Sequence, residues 1–204
     1  MQSRLSVIAL ASLLSSPIAS AEGMDRRLAS SGAEPFAETL LFSFHSDPKV
    51  CLHHFLYRWA RKEAMAAGEI PKRYPEPTLR DVDLQVVSSL SAAEQAAWEK
   101  ARTHYRQHVV SRSLLFDDGL IALRDTLAGS REGLDLTEAD RQALAQVEAA
   151  REVYERRWWP RHDAENREWV AAVIGDVVRF ERQIAQRIEG FYGTKWPSPP
   201  NRVD

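Results

Sequence analysis

Val170-Ala171-Ala172-Val173-Ile174-Gly175-Asp176-Val177-Val178-Arg179-Phe180-Glu181-Arg182-Gln183-Ile184-Ala185-Gln186-Arg187-Ile188-Glu189-Gly190-Phe191 decides the fold class. Val170, Val173, Val177, Phe180, Ile184, Ile188 and Phe191 recur at three- and four-residue steps, one stripe of an α-helix. The pattern predicts a helix from Pro160 to about Tyr192, with Gly193 as its C-terminal cap. Val173, Val177 and Ile184 are expected to be buried, so that an aspartate at Val177 would place an unpaired charge in the core.

The same periodicity extends towards the N-terminus. Thr137 caps a segment whose Leu144, Val147, Val153 and Tyr154 approximate a stripe, and which runs to Trp158-Trp159-Pro160, where proline starts a new helix or kinks the old one. Ser91-Ala92-Ala93-Glu94 is a capping-box pattern. It opens a long segment with Trp98, Tyr105, Val109, Phe116, Leu120, Leu123 and Leu127 on its apolar side, interrupted at Asp117-Asp118-Gly119. Asp47 and Pro48 suit the cap and first position of an earlier helix, whose stripe is Leu52, Phe55, Leu56 and Trp59. Trp59, Trp98 and Tyr105 should therefore be buried. Pro71, Pro75 and Pro77, and the stretch Gly129 to Gly133, read as loops, and neither a repeat nor a strand is evident. The fold class is all-α: an irregular bundle of about four to six amphipathic helices over residues 46–193, preceded by a loosely held arm at 22–45 and followed by an extended, proline-rich tail at 194–204. The tail reads as cut off, a natural tail being the alternative.

At the N-terminus, Arg4 precedes an apolar run from Leu5 to Leu14, and Ala19-Ser20-Ala21 offers small residues for cleavage, the order of a signal peptide over residues 1–21. Cleavage after Ala21 would leave 183 of the 204 residues, beginning at Glu22, in the periplasm or outside the cell. That length suits one hydrophobic core. The formal net charge of -2, with charges of both signs interspersed, gives no electrostatic footprint for nucleic acid and no basic patch for a membrane surface. With Cys51 as the single cysteine, no intrachain disulfide can form. Stability must then come from packing.

Polar residues interrupt the last helix's stripe. Counting back from Val173 gives Val170, Asn166, Asp163 and Trp159, with His162 one turn before Asn166. Buried Asp163 and Asn166 would need partners: either this end of the helix protrudes, or they satisfy backbone groups near Pro160, or they form a binding site with His162. His53 and His54 are the second candidates, His53 flanking the apolar face and His54 opposite it with Arg58 and Arg61; a buried histidine bonded to the backbone competes with the reading as a ligand. His104 and His108 have metal-gripping spacing, but two ligands amid Arg102, Arg106 and Arg112 do not make a zinc site. Asp117-Asp118-Gly119 lacks the alternating carboxylates of a calcium loop and reads as a turn. No phosphate loop, nucleophile elbow, Cys-His pattern or His-Glu dipeptide occurs, so the expected binding residues are His53, His54, His162, Asp163 and Asn166, with no catalytic or metal residue assigned.

Phe42-Ser43-Phe44-His45-Ser46 with Leu52-His53-His54-Phe55-Leu56-Tyr57, Leu114-Leu115-Phe116-Asp117-Asp118-Gly119, Trp158-Trp159-Pro160-Arg161-His162-Asp163 with Asn166 and Trp169, and Asn201-Arg202-Val203-Asp204 together resemble a family of exported bacterial proteins. Longer relatives look as if they continue past Arg-Val-Asp into strands and a His-Glu-x-x-His helix, as in zinc-dependent peptidases. The resemblance implies that this chain corresponds to the helical N-terminal part and that zinc would enter only with the further sequence; it supplies no substrate, and a peptide or protein ligand is a separate expectation. The other reading is a self-sufficient periplasmic helical binding or interaction module.

Overall fold

The computed structural model describes residues 34–71, 77–130, 136–196 and 200–204. The expected signal peptide, its cleavage site and most of the loops at Pro71 to Pro77 and Gly129 to Gly133 lie outside these residues. The architecture is all-α, with helices α1 (Pro48–Ala66), α2 (Asp81–Ser88), α3 (Ala92–His108), α4 (Asp118–Leu127), α5 (Glu138–Arg157) and α6 (Trp159–Tyr192). No helix among the described residues is long and apolar enough to cross a membrane.

Local chemistry starts and stops the helices. The Asp47 carboxylate accepts from the amides of Lys49 at 2.8 Å and Val50 at 3.2 Å, satisfying the first turn of α1. Ser91 and Glu94 close the capping box of α3, and Thr137 caps α5. Pro160, which has no amide hydrogen, falls where the ladder breaks between α5 and α6. Gly193 takes φ 69° at the end of α6, a left-handed conformation that glycine adopts without a Cβ penalty.

The core is a mutual packing of α1, α3 and α5, with α4 leaning on α5 and α1 and with α6 on α5. Its centre is aromatic. Trp98 stacks on Trp158 with centroids 4.6 Å apart, and the ring of Phe55 meets Trp59, Trp98, Tyr154 and Trp158 within 5.8 Å. Trp59, Trp98 and Tyr105 are buried, as their stripes predict.

The stripe of α6 behaves differently. Val170 is buried, but Val173 and Val177 are only half-buried and Ile184 is 48 % exposed. Periodicity identifies the helix correctly; its expected burial is corrected, because α6 presents a neighbouring face, with Glu181 and Ala185, to the rest of the molecule. An aspartate at Val177 therefore introduces a charge at a partly hydrated site rather than into the core.

Strands and a further helix also depart from the expected pattern. Residues expected to lie in a loose arm form β1 (Ala37–Glu38) and β2 (Phe42–Phe44), and β3 (Asn201–Val203) pairs parallel to β2, with Phe42 opposite Asn201 and Phe44 opposite Val203. The two ends of the described chain thus meet in one small sheet. Glu181 on α6 accepts from the Leu41 amide at 3.2 Å and ties the sheet to the helix. Helix α2 begins four residues after Pro77, where the sequence pattern predicts no element.

Candidate functional site

A cleft of about 480 Å³ opens where α1, the start of α2, the end of α5 and the first turns of α6 converge, with Asp204 at its margin. Helix α1 contributes Cys51, His54 and Arg58 at steps of three and four residues, a second face of the helix beside its core stripe. Across from them, α6 contributes His162 and Asn166, again one turn apart.

Each of these groups is held by its surroundings. The Asn166 amide donates to Ser46 Oγ at 3.3 Å and lies 3.4 Å from Cys51 Sγ, so it bridges α6 to the start of α1. His162 Nε2 lies 3.2 Å from Asp83 Oδ1, and its Nδ1 lies 2.9 Å from the Tyr154 hydroxyl. A neutral imidazole satisfies both if Nε2–H donates to the carboxylate and Nδ1 accepts from the phenol, an assignment made from the hydrogen-bond network. Arg161 also donates to Asp83. The Phe55 ring meets the His162 ring edge-on at 4.9 Å and separates the cleft from the aromatic core.

Burial sets the protonation states. It pushes the Cys51 thiol up to about 12, and the Asn166 hydrogen bond offsets only part of this. The thiol is therefore neutral at physiological pH. Burial lowers the pKa of His54, partly countered by the nearby Asp204 carboxylate. It also lowers that of His162, against the opposing pull of Asp83. Tyr154 is raised by burial and remains a phenol. At the rim, Arg80 donates to Glu165 through Nη1 and Nη2, at 2.6 and 2.5 Å. The Arg58 guanidinium donates to the Thr78 carbonyl at 2.6 Å. The cleft thus offers neutral donors and acceptors beside the Asp83 carboxylate, which Arg161 and His162 already engage, within a rim of both charges.

The structure brings His54, His162 and Asn166 together around this space. Asp163 is half-buried beside it and pairs with Arg167 at 3.0 Å, one turn along α6. His53 lies behind His54, fully buried, with Nδ1 2.7 Å from the Tyr105 hydroxyl. It faces the core rather than the cleft. His54, which the helical wheel sets opposite the core, instead faces the cleft that α6 helps to close. Sequence reasoning misses Cys51, Asp83, Tyr154 and Asp204. Cys51 stands one turn before His54 and is a readable signal; Asp83 is not, because nothing in the sequence pattern marks its helix.

His104 and His108 sit with ring centroids 4.9 Å apart, and burial followed by the charge of His108 lowers the pKa of His104. Among the described residues, no group of three or more His, Cys, Asp or Glu side chains is arranged to hold a metal ion. These residues do not fit a catalytic zinc site, which takes three protein ligands. No family model, curated protein or solved structure matches the chain.

Proposed function

We propose that this chain is the ligand-holding helical part of an exported, zinc-peptidase-like protein, and that its cleft receives a short extended peptide segment. The observation that carries the reading is the convergence of His54, Cys51, Asn166 and His162 from two helices onto one cleft. A peptide backbone alternates donors and acceptors, and a neutral imidazole, a thiol and an amide can answer both without the desolvation cost of a buried charge. The rim's mixed charges suit a dipolar ligand better than a polyanion. Export and the peptidase-like character rest on the signal-peptide pattern and on the resemblance. No catalytic step is assigned to these residues, and a metal would have to be held by a His-Glu-x-x-His helix in further sequence.

Two measurements test this. Titrating the 15N-labelled chain with amidated hexa-alanine should shift the His54, His162 and Asn166 resonances together, and Asn166→Ala should weaken binding by about tenfold, the loss of one or two good hydrogen bonds. Shifts confined to other surfaces, or none, would remove the cleft from the proposal. The reading frame after Asp204 tests the second half: continuation into a His-Glu-x-x-His helix supports the peptidase-like reading, and an immediate stop codon leaves a self-contained binding module.

A further inference from the structure

The stripe on α6 is largely uncovered. Trp169 is 57 % exposed, Phe180 42 %, Ile184 48 % and Phe191 82 %. Such a run of large apolar side chains along one helix face is the usual mark of a contact surface. The helix is anchored through the face adjoining the stripe: Glu181 holds the Leu41 amide, and Ala185 is buried. Val173, Val177, Phe180 and Ile184 follow the four-three-four spacing of a coiled-coil seam.

The stripe is also nearly symmetric about Phe180. Trp169 lies eleven residues before Phe180 and Phe191 eleven after; Val173 and Ile188 lie seven before and eight after; Val177 and Ile184 lie three before and four after. When two identical helices run antiparallel, residues equidistant from the centre meet, and a mismatch of one residue is about 1.5 Å along the axis. A second copy would thus set Trp169 against Phe191, Val173 against Ile188, Val177 against Ile184, and Phe180 against itself.

We propose that this face is the contact between two copies of the chain, packed antiparallel on a two-fold axis at Phe180. A two-fold contact requires one patch complementary to itself, which this symmetry supplies. Charge agrees with the register. Asp176 and Arg187 lie on the same flank of the stripe, away from Glu181 and Ala185, and each Asp176 comes within about 4.5 Å along the axis of the second copy's Arg187. The size is also adequate. At about 200 Å² per aromatic side chain, the exposed parts of Trp169, Phe180 and Phe191 supply on the order of 400 Å². The aliphatic stripe and flanking polar stems carry the total towards the roughly 800 Å² per partner of a standard interface.

Light scattering on the purified chain across a dilution series should show a dimer in equilibrium with monomer. Phe180→Asp, at a partly exposed site, should weaken dimerisation more than tenfold while leaving the helical circular dichroism unchanged. Cysteine cross-linking in a Cys51→Ala background fixes the orientation. Phe180→Cys should cross-link to itself, and Trp169→Cys should cross-link to Phe191→Cys but not to itself. A chain monomeric at all concentrations would overturn the proposal, as would a dimer indifferent to Phe180→Asp or self-cross-linking at Trp169→Cys. So would a monomer in which footprinting finds Trp169 and Phe191 shielded, since the stripe would then be covered from within the same polypeptide.

Discussion

Asp83 and His162 hold each other across 79 residues of sequence, with Oδ1 of the carboxylate 3.2 Å from Nε2 of the imidazole. This contact joins α2 to α6 and orients the ring towards the cleft. Burial pushes the Asp83 carboxyl up, but the hydrogen bonds from Arg161 and His162 outweigh it and hold the group below its ordinary value. A carboxylate depressed in the folded state stabilises above its unfolded pKa, and that contribution is lost as pH falls through the folded value. Asp83→Asn should cost about 1–3 kcal/mol at pH 7, read by urea denaturation, and should reduce the acid sensitivity of the remaining stability. An unchanged midpoint would mean that the pair contributes nothing.

A second acid sensitivity belongs to His53. Burial depresses its pKa to about 3, with the neighbouring His54 adding to the effect. The unfolded chain takes up a proton near the ordinary histidine value, while the folded chain resists until about pH 3. Stability is therefore present above the unfolded pKa and falls on acidification through this window, by up to several kcal/mol. His53→Phe removes the titration and leaves the Tyr105 hydroxyl without its partner. The variant should be less stable at pH 7 yet lose less between pH 7 and 4. Parallel pH profiles for variant and parent would refute the assignment.

Gly119 occupies a position where a side chain has no room. A Cβ there would stand 2.4 Å from Arg112 Nη2 and 2.6 Å from Asp140 Oδ2. Neither neighbour moves freely, because Asp140 is fully buried between Arg112 Nη1 at 2.6 Å and Thr137 Oγ1 at 2.6 Å. Arg112 also grips Asp117, the cap of α4. Asp117-Asp118-Gly119 is thus a helix start built around an ion pair. Gly119→Ala should cost about 1–3 kcal/mol by overpacking, despite alanine's better helix propensity, as a thermal melt would show. A neutral or stabilising alanine would show that the Arg112 side chain yields readily.

The parts legible in the sequence are those written in local chemistry. Asp47, Ser91 and Thr137 announce three helix starts because a cap depends on residues within one turn, and the stripes of α1 and α3 point at Trp59, Trp98 and Tyr105. The strands are illegible because two or three residues cannot show an alternating pattern, and β3 acquires its partner only from the opposite end of the chain. Helix α2 is hidden by its shortness and by the prolines before it. For α6 the periodicity reveals amphipathicity, but periodicity does not say what covers the apolar side. The cleft is legible only in part for the same reason: His54 points away from the core of its own helix, and only tertiary packing brings Asn166 and His162 opposite it.

Cys51 holds its thiol half-buried in the cleft wall beside Asn166. Reactivity belongs to the thiolate, and burial pushes this thiol up to about 12. At pH 8 a free thiol of ordinary pKa is ionised to a substantial fraction, whereas a group near 12 is ionised to roughly one part in 10⁴, so alkylation should be slower by about 10³. Iodoacetamide labelling of the native chain at pH 8, followed by mass spectrometry and compared with glutathione, measures this ratio, and labelling in urea should restore the ordinary rate. Asn166→Leu sharpens the test. It removes the amide that favours the thiolate, so native labelling should slow further if the hydrogen bond operates. Labelling at the glutathione rate would show a thiolate in the cleft, and Cys51 would then stand there as a nucleophile rather than as a neutral hydrogen-bonding group.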